Sequence, residues 1–375
     1  MGKKKVAILS LYYHNFNYGG ILQSYALQKA VSSMGIDVVQ ISYDLMSGYQ
    51  KSFFSKMKYF LKKPIRYAYR KIAFPNIIDL ENRILEFAEK IPHTKVVTVD
   101  NIKRLEKEYD AFICGSDQIW NPIGWQPTLF LDFVPSDKPK ISYAASVARD
   151  NLNHEEIEFI LEHIKDFKAV SVREERTAEI LKESQTSQDI SVMPDPTMLL
   201  QPEEWNVLAA ESHEKRKNYV LAYFLGGNIE QREQAIAVTK KQGKDILFIP
   251  YVCHSALEWE EKHEKYMAKN VGVPEFLALI KNADAVITDS FHGTIFSIIF
   301  NTPFFVLKRF RNGDSKSMNS RVVTLLRTFS LQNRLVEVIP ETQKWTFSDS
   351  ELDCIEKVRT FQRQKGMEFL RESIQ

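Results

Sequence analysis

Short runs of Val, Ile and aromatic residues alternate with longer stretches at helical spacing, and the alternation starts twice along the chain. In the first set, VAILSLYY (6–13), DVVQISY (37–43), AFIC (111–114), ISYAAS (141–146), AVSV (169–172) and ISVM (190–193) have the composition of strands covered on both faces. Between the first two, ILQSYALQKAVSSMG (21–35) reads as a helix that ends on Gly35, a natural C-cap. HEEIEFILEHIKDF (154–167) follows Asn153, a plausible N-cap, and its early carboxylates suit a helix N-terminus. The second set is NYVLAYFLG (218–226), DILFIP (245–250), DAVITDS (284–290) and PFFVL (303–307), with helical VPEFLALIKNA (273–283) and TIFSIIFN (294–301) between them. Strands alternating with helices imply parallel sheets covered by helices. The expected class is therefore α/β, two Rossmann-like domains facing a cleft, with ligands at the carboxyl ends of the strands. Three prolines in MPDPTMLLQPEEW (193–205) place the boundary, giving domains 1–200 and 201–345. A final helical pattern within 346–375 is expected to pack back on the first domain.

Composition narrows the function classes. The 375 residues carry 50 Lys+Arg against 48 Asp+Glu, a formal charge of +2, with 44% hydrophobic and 26% charged residues. This is globular usage and excludes a disordered chain. A balance so near neutrality also argues against nucleic-acid binding. Cys114, Cys253 and Cys354 are too few and scattered for a disulfide framework or zinc site, and no metal-ligand motif appears. The Lys3–Lys5 run before VAILSLYY superficially resembles a signal peptide but leads into polar HNFNYGG without a cleavage site, so a first strand is expected. No apolar run approaches membrane-spanning length, and the expected location is cytoplasmic. One asymmetry stands out: between Asp44 and Asp79 there are eight Lys/Arg and no acid. The basic-aromatic segment 51–74 reads either as a solvated surface or as a peripheral contact with the inner membrane face.

Four polar clusters fall at strand ends. In HNFNYGG, Asn17, Gly19 and Gly20 precede a helix, where backbone N–H groups approach an anion or glycine merely serves a turn. In CGSDQIW, Gly115, Ser116 and Asp117 follow a buried strand and suit ligand contact or a capping turn. Arg173 follows AVSV directly, where a guanidinium binds carboxylate or phosphate, or pairs with a neighbouring Glu. The sharpest cluster is Thr288-Asp289-Ser290-Phe291-His292-Gly293-Thr294, a strand-to-helix turn bearing a histidine. Its amides suit phosphate, and the imidazole suits proton transfer. Lys308, Arg309, Arg311 and Arg321 follow as a source of positive charge or a solvated surface. His254, after IPYVC, is a weaker cleft candidate.

Together NYGGILQSYALQ, GSDQIW, SYAAS, SVREERTAEIL, DPTMLL, TDSFHGTIFSIIFNTPF and NSRV resemble the polysaccharide pyruvyl transferase family, in family order from residue 15 to about 330. Gly20 stands where members often carry an acid. The resemblance implies a GT-B-like fold and transfer of the enolpyruvyl carbons of phosphoenolpyruvate to a sugar as a ketal. It makes 1–200 the acceptor side and 201–345 the donor side. It further implies a glycan or lipid-linked oligosaccharide acceptor from surface or exopolysaccharide synthesis and no separate cofactor. Arg173 would clamp the donor, Gly293 and Thr294 amides would hold phosphate, and His292 would be the general acid. Asp117 or Asp289 would be the base, and Ser290, Lys308 and Arg321 would line the substrate site. The runner-up is a GT-B glycosyltransferase using a nucleotide-sugar, and a third reading is a non-catalytic binding protein.

Overall fold

The structure is a computed structural model that describes residues 3–48, 75–184, 186–250, 256–310, 317–341 and 345–375. The basic-aromatic segment 51–74, Cys253, His254 and Arg311 lie outside the described residues. Two parallel sheets form, and the α/β expectation holds. The first contains β1 (Lys5–Leu9), β2 (Asp37–Gln40), β3 (Ala111–Asp117), β4 (Lys140–Ala145), β5 (Ala169–Val172) and β6 (Ile190–Val192), in the order β2-β1-β3-β4-β5-β6. The second contains β7 (Tyr219–Tyr223), β8 (Asp245–Phe248), β9 (Ala285–Thr288), β10 (Phe304–Leu307) and β11 (Leu335–Val336), in the order β11-β10-β9-β7-β8. Val6 to Leu9 and Ala285 to Thr288 are fully buried, as strands covered on both faces must be.

Eleven described helices connect and cover the sheets: α1 (Tyr18–Ser32), α2 (Pro75–Ala88), α3 (His154–Ile164), α4 (Glu175–Glu183), α5 (Pro202–Ala210), α6 (Ile229–Lys241), α7 (Leu257–Lys262), α8 (Val273–Asn282), α9 (Phe291–Ile299), α10 (Asn319–Thr328) and α11 (Asp349–Ile374). Asn153 caps α3 through a capping box with Glu156, as expected. Gly35 takes a left-handed φ of 81°, three residues beyond the end of α1. None of the described helices is long and apolar enough to cross a membrane.

Sheet order locates the site. In the first sheet β1 lies between β2 and β3; in the second β7 lies between β8 and β9. Each is a point where chain order reverses, and there the loops leaving the carboxyl ends diverge to open a crevice. Parallel register pairs Leu9 with Cys114 and Tyr223 with Thr288, so the two loops at each reversal emerge side by side.

The reversal points meet across a packed junction. Tyr18, at the start of α1, stacks on Phe276 of α8 at 4.4 Å and 10°, and its hydroxyl donates to Val271 O at 2.7 Å. Trp205 of α5 meets Phe296 of α9 edge-on at 5.0 Å. One buried cluster accordingly contains residues from both sheets' helices. Helix α11 contributes Ile355 to that cluster, and Leu370 and Ile374 to another with Val6, Ile8 and Ile113 of the first sheet.

Candidate functional site

His292 enters the junction because β9 stops at Thr288 and Ser290 caps the next helix. Ser290 Oγ accepts from Gly293 N at 3.2 Å, while Thr294 N and Oγ1 both donate to Ser290 O, at 3.0 and 2.9 Å. Gly293 and Thr294 thus satisfy the cap itself, contrary to the expectation that their amides hold phosphate. The first-turn donors left open are the N–H groups of Phe291 and His292. Gly293 serves packing: a Cβ there would lie 2.7 Å from Thr288 Oγ1 and 3.2 Å from Tyr223. Asp289 is occupied as well, accepting from Leu225 N and Gly226 N at 2.7 Å each, with Arg309 beside it at 3.4 Å. A carboxylate so engaged is a poor base.

The imidazole of His292 is held by residues of the first sheet. A Cβ on Gly19 would overlap Nδ1, Cγ and Cε1 together, so glycine is required for α1 to lie against the ring. The NYGG glycines are helical, not a loop: Asn17 caps α1, accepting from Gly19 N at 2.9 Å and Gly20 N at 3.4 Å. Gly20 packs on Asn15. On the other side, His292 Nε2 lies 3.4 Å from Asp195 Oδ2, within ion-pair range but without an aligned hydrogen bond.

Asp195 was not singled out among the sequence candidates, although DPTMLL contains it. Its signal is an Asx-type turn, Asp followed two residues later by a donor. Thr197 N and Oγ1 donate to Oδ1 at 3.0 and 2.7 Å, which aims Oδ2 at Arg173 Nη1, 2.7 Å away. Burial alone would raise its pKa. His292, Arg173 and the Thr197 amide outweigh that and hold it well below the usual carboxylate range.

Arg173 stands at the end of β5 as expected, but protein carboxylates already surround it. Besides Asp195, Asp117 lies 3.3 Å from Nη2 and Glu174 3.4 Å from Nε. Its guanidinium also covers the Phe291 ring at 4.5 Å. Desolvation would lower its pKa, yet the three carboxylates raise it above the ordinary value. Arg173 is therefore the hub of a buried ion network that takes up its donors.

Arg321 is the opposite case. It is 7% exposed on α10, lies 5.8 Å from the Phe291 ring, and its Nε has no partner. Among the described residues it hydrogen-bonds Met318 Sδ, at 3.4 Å. Burial, then the neighbouring charge of Arg173, push its pKa down to about 10, so it is still a cation at neutral pH. Among the described buried arginines, Arg321 donates to no oxygen. It lines a junction cavity of about 190 Å³ together with Arg173, Asp195, Phe291, Met193, Ile295 and Phe329.

The remaining candidates have partners of their own. Gly115 faces the helix layer, where a Cβ would meet Leu27 at 2.7 Å, and Ser116 is buried with Oγ donating to Ala144 O at 3.1 Å. Both serve the sheet. Lys308 pairs with Glu337 at 2.8 Å and lines a small second pocket with Asp289, Phe291, Arg309 and Arg321. The structure brings together His292, Arg173, Asp117, Gly19 and Arg321, and adds Asp195 and Glu174.

Comparison with known structures supports the architecture. A putative UDP-N-acetylglucosamine 2-epimerase from Listeria monocytogenes aligns with a TM-score of 0.53 at 10% identity, over 98% of this chain and 90% of that one. LpCGTa, solved in complex with UDP, aligns with a TM-score of 0.51 at 12% identity, over 100% and 99%. At such identities the likeness speaks for the GT-B-like fold alone. No relative was found among curated proteins. The family model for polysaccharide pyruvyl transferase, however, matches residues 17–309, which takes in α1, the Arg173 network, Asp195 and the His292 turn. The chain belongs to the polysaccharide pyruvyl transferase family.

Proposed function

We propose that the protein transfers the pyruvyl carbons of phosphoenolpyruvate to two hydroxyls of a glycan or lipid-linked oligosaccharide in surface or exopolysaccharide synthesis, releasing phosphate. The observation that carries this reading is the Arg321 guanidinium, which pairs with no carboxylate among the described residues and is buried beside the turn that bears a proton-transfer group, His292. A compact dianion would supply the directly contacting counter-charge that no described residue provides. Family membership supports a transferase acting toward a polysaccharide.

The chemistry balances without a cofactor. His292 gives a proton to C3 of the donor, using the C2–C3 π pair and leaving an oxocarbenium-like C2. One acceptor hydroxyl attacks C2 and loses its proton. The C2–O bond to phosphate then breaks with its pair on oxygen, and the second hydroxyl attacks to close the ketal. Two protons leave the acceptor; one replaces that delivered to C3 and one departs on phosphate. Asp117, less engaged than Asp289, is the base in this scheme. Arg321 and the open Phe291 and His292 amides neutralise the donor.

Thermal melting with phosphoenolpyruvate and with a nucleotide-sugar panel tests the donor class. Phosphoenolpyruvate is expected to stabilise the protein, and His292→Ala to lose donor-dependent phosphate release by at least a hundredfold while folded. Stabilisation by nucleotide-sugars alone would replace this reading with nucleotide-sugar glycosyl transfer. For a lipid-linked acceptor we propose peripheral docking at the inner membrane face through 51–74, whose charge and aromatics suit anionic lipid. Flotation with anionic liposomes should fail after Lys/Arg→Gln changes there; unchanged flotation defeats it.

A further inference from the structure

We infer that Asp195 is the positioning residue of His292: a carboxylate from the first sheet fixes the imidazole that the second sheet supplies. The inference rests on the proposed role of His292, but its geometry is independent of the donor. Asp195 is built to be immobile. It lies between Pro194 and Pro196, and both Thr197 groups hold one carboxylate oxygen. The other oxygen is shared by Arg173 Nη1 at 2.7 Å and His292 Nε2 at 3.4 Å. A short rotation of the imidazole would convert that approach into a hydrogen bond.

The ring has no other anchor on this edge. Nε2 is buried without an aligned partner, and Gly19 lies against the ring itself. A proton kept on Nε2 toward Asp195 leaves the Nδ1 edge to give and take the proton exchanged with substrate. Asp195 need never be protonated; it orients the ring and stabilises the imidazolium. Arg173, on the same carboxylate oxygen, opposes the charged ring and keeps Asp195 ionised. Arg321 from α10 and the Asp289–Arg309 pair on the turn complete the charged surroundings. The acid–base group is thus complete only when both sheets are docked.

The test is ¹⁵N NMR of histidine-labelled protein, which reads ring tautomer and titration midpoint directly. Eight histidines are present, and loss of one signal in His292→Gln assigns the ring. In the wild type, neutral His292 is expected to carry its proton on Nε2. Asp195→Asn should lower the titration midpoint by about one unit or more, because an opposite charge at this range favours the protonated ring. In donor turnover the same variant should lose kcat about a hundredfold with KM for phosphoenolpyruvate within about threefold. If Asp195→Asn does not fold, Thr197→Val removes one of the two donors on Oδ1 at conserved volume, leaving the amide, and should move the midpoint the same way by a smaller amount. An unchanged midpoint and tautomer in a folded Asp195→Asn, or in Thr197→Val if only that variant folds, overturns the inference. Absence of phosphate release by the wild type would instead fail the proposed reaction, and the NMR result would still decide the role of Asp195.

Discussion

Two arginines of similar burial show how context separates structure from recognition. Arg173 satisfies Asp117, Glu174 and Asp195, so Arg173→Met would strand three carboxylates in a buried site. Removing one partner of a buried ion network costs about 3–5 kcal/mol. Arg321→Met removes a desolvated charge to which no described residue offers an oxygen, so unfolding stability should hold or rise slightly. Anion recognition should show the reverse cost, with the phosphoenolpyruvate melting shift lost in folded Arg321→Met. Urea unfolding and ligand melts on both variants make the comparison. Equal destabilisation, with the shift intact in Arg321→Met, would mean that Arg321 has no recognition role. Sequence alone placed both residues near the site but could not rank them. Strand-end position is local information and reaches the neighbouring Glu174, whereas Asp195 and Asp117 come from 22 and 56 residues away.

At the scale of elements, what was legible depended on how far each signal reaches. Buried strands announced themselves, because parallel strands covered on both faces need unbroken apolar runs. Helix starts were harder to read. The apolar spacing of α1 begins at Ile21, but Asn17 starts the helix at Tyr18 and draws Gly19 and Gly20 into its first turn. The same happened at α9, where Ser290 as cap takes Phe291 and His292 into the helix. In both cases the capping residue uses amides that the sequence offered to a ligand, Asn17 through its side chain and Ser290 through its hydroxyl and its carbonyl. That is why the phosphate role proposed for this turn passes from Gly293 and Thr294 to the two preceding amides. Helices α4 and α10 escaped notice because their faces are largely polar, yet they carry Glu175 and Arg321 to the junction. Asp195 was hidden for another reason: flanking prolines marked irregular chain, and only the tertiary fold shows that the turn presents a carboxylate to another sheet.

Across the whole molecule, the site belongs to neither sheet alone, and stability should reflect that. His292 and Arg321 come from the second half, whereas Gly19, Asp117, Arg173 and Asp195 come from the first. The junction between them is apolar and continuous, with Tyr18 stacked on Phe276 and Trp205 against Phe296. Helix α11 reinforces it: Arg359 donates to Ile299 O at 3.1 Å, and Arg363 to Leu199 O at 2.9 Å. Farther along, Leu370 and Ile374 complete the core of the first sheet. A junction built like a core couples the halves, so calorimetry of the intact chain should give one transition, with van't Hoff and calorimetric enthalpies agreeing. Phe276→Ala removes the stacked partner of Tyr18 at a cost of about 3–5 kcal/mol and should weaken that coupling. The expected signature is a broadened or split transition, together with a weaker phosphoenolpyruvate shift, because undocking separates His292 from Asp195. Two resolved transitions in the wild type would refute the coupling. The catalytic group would then have to assemble on ligand binding instead of waiting preformed.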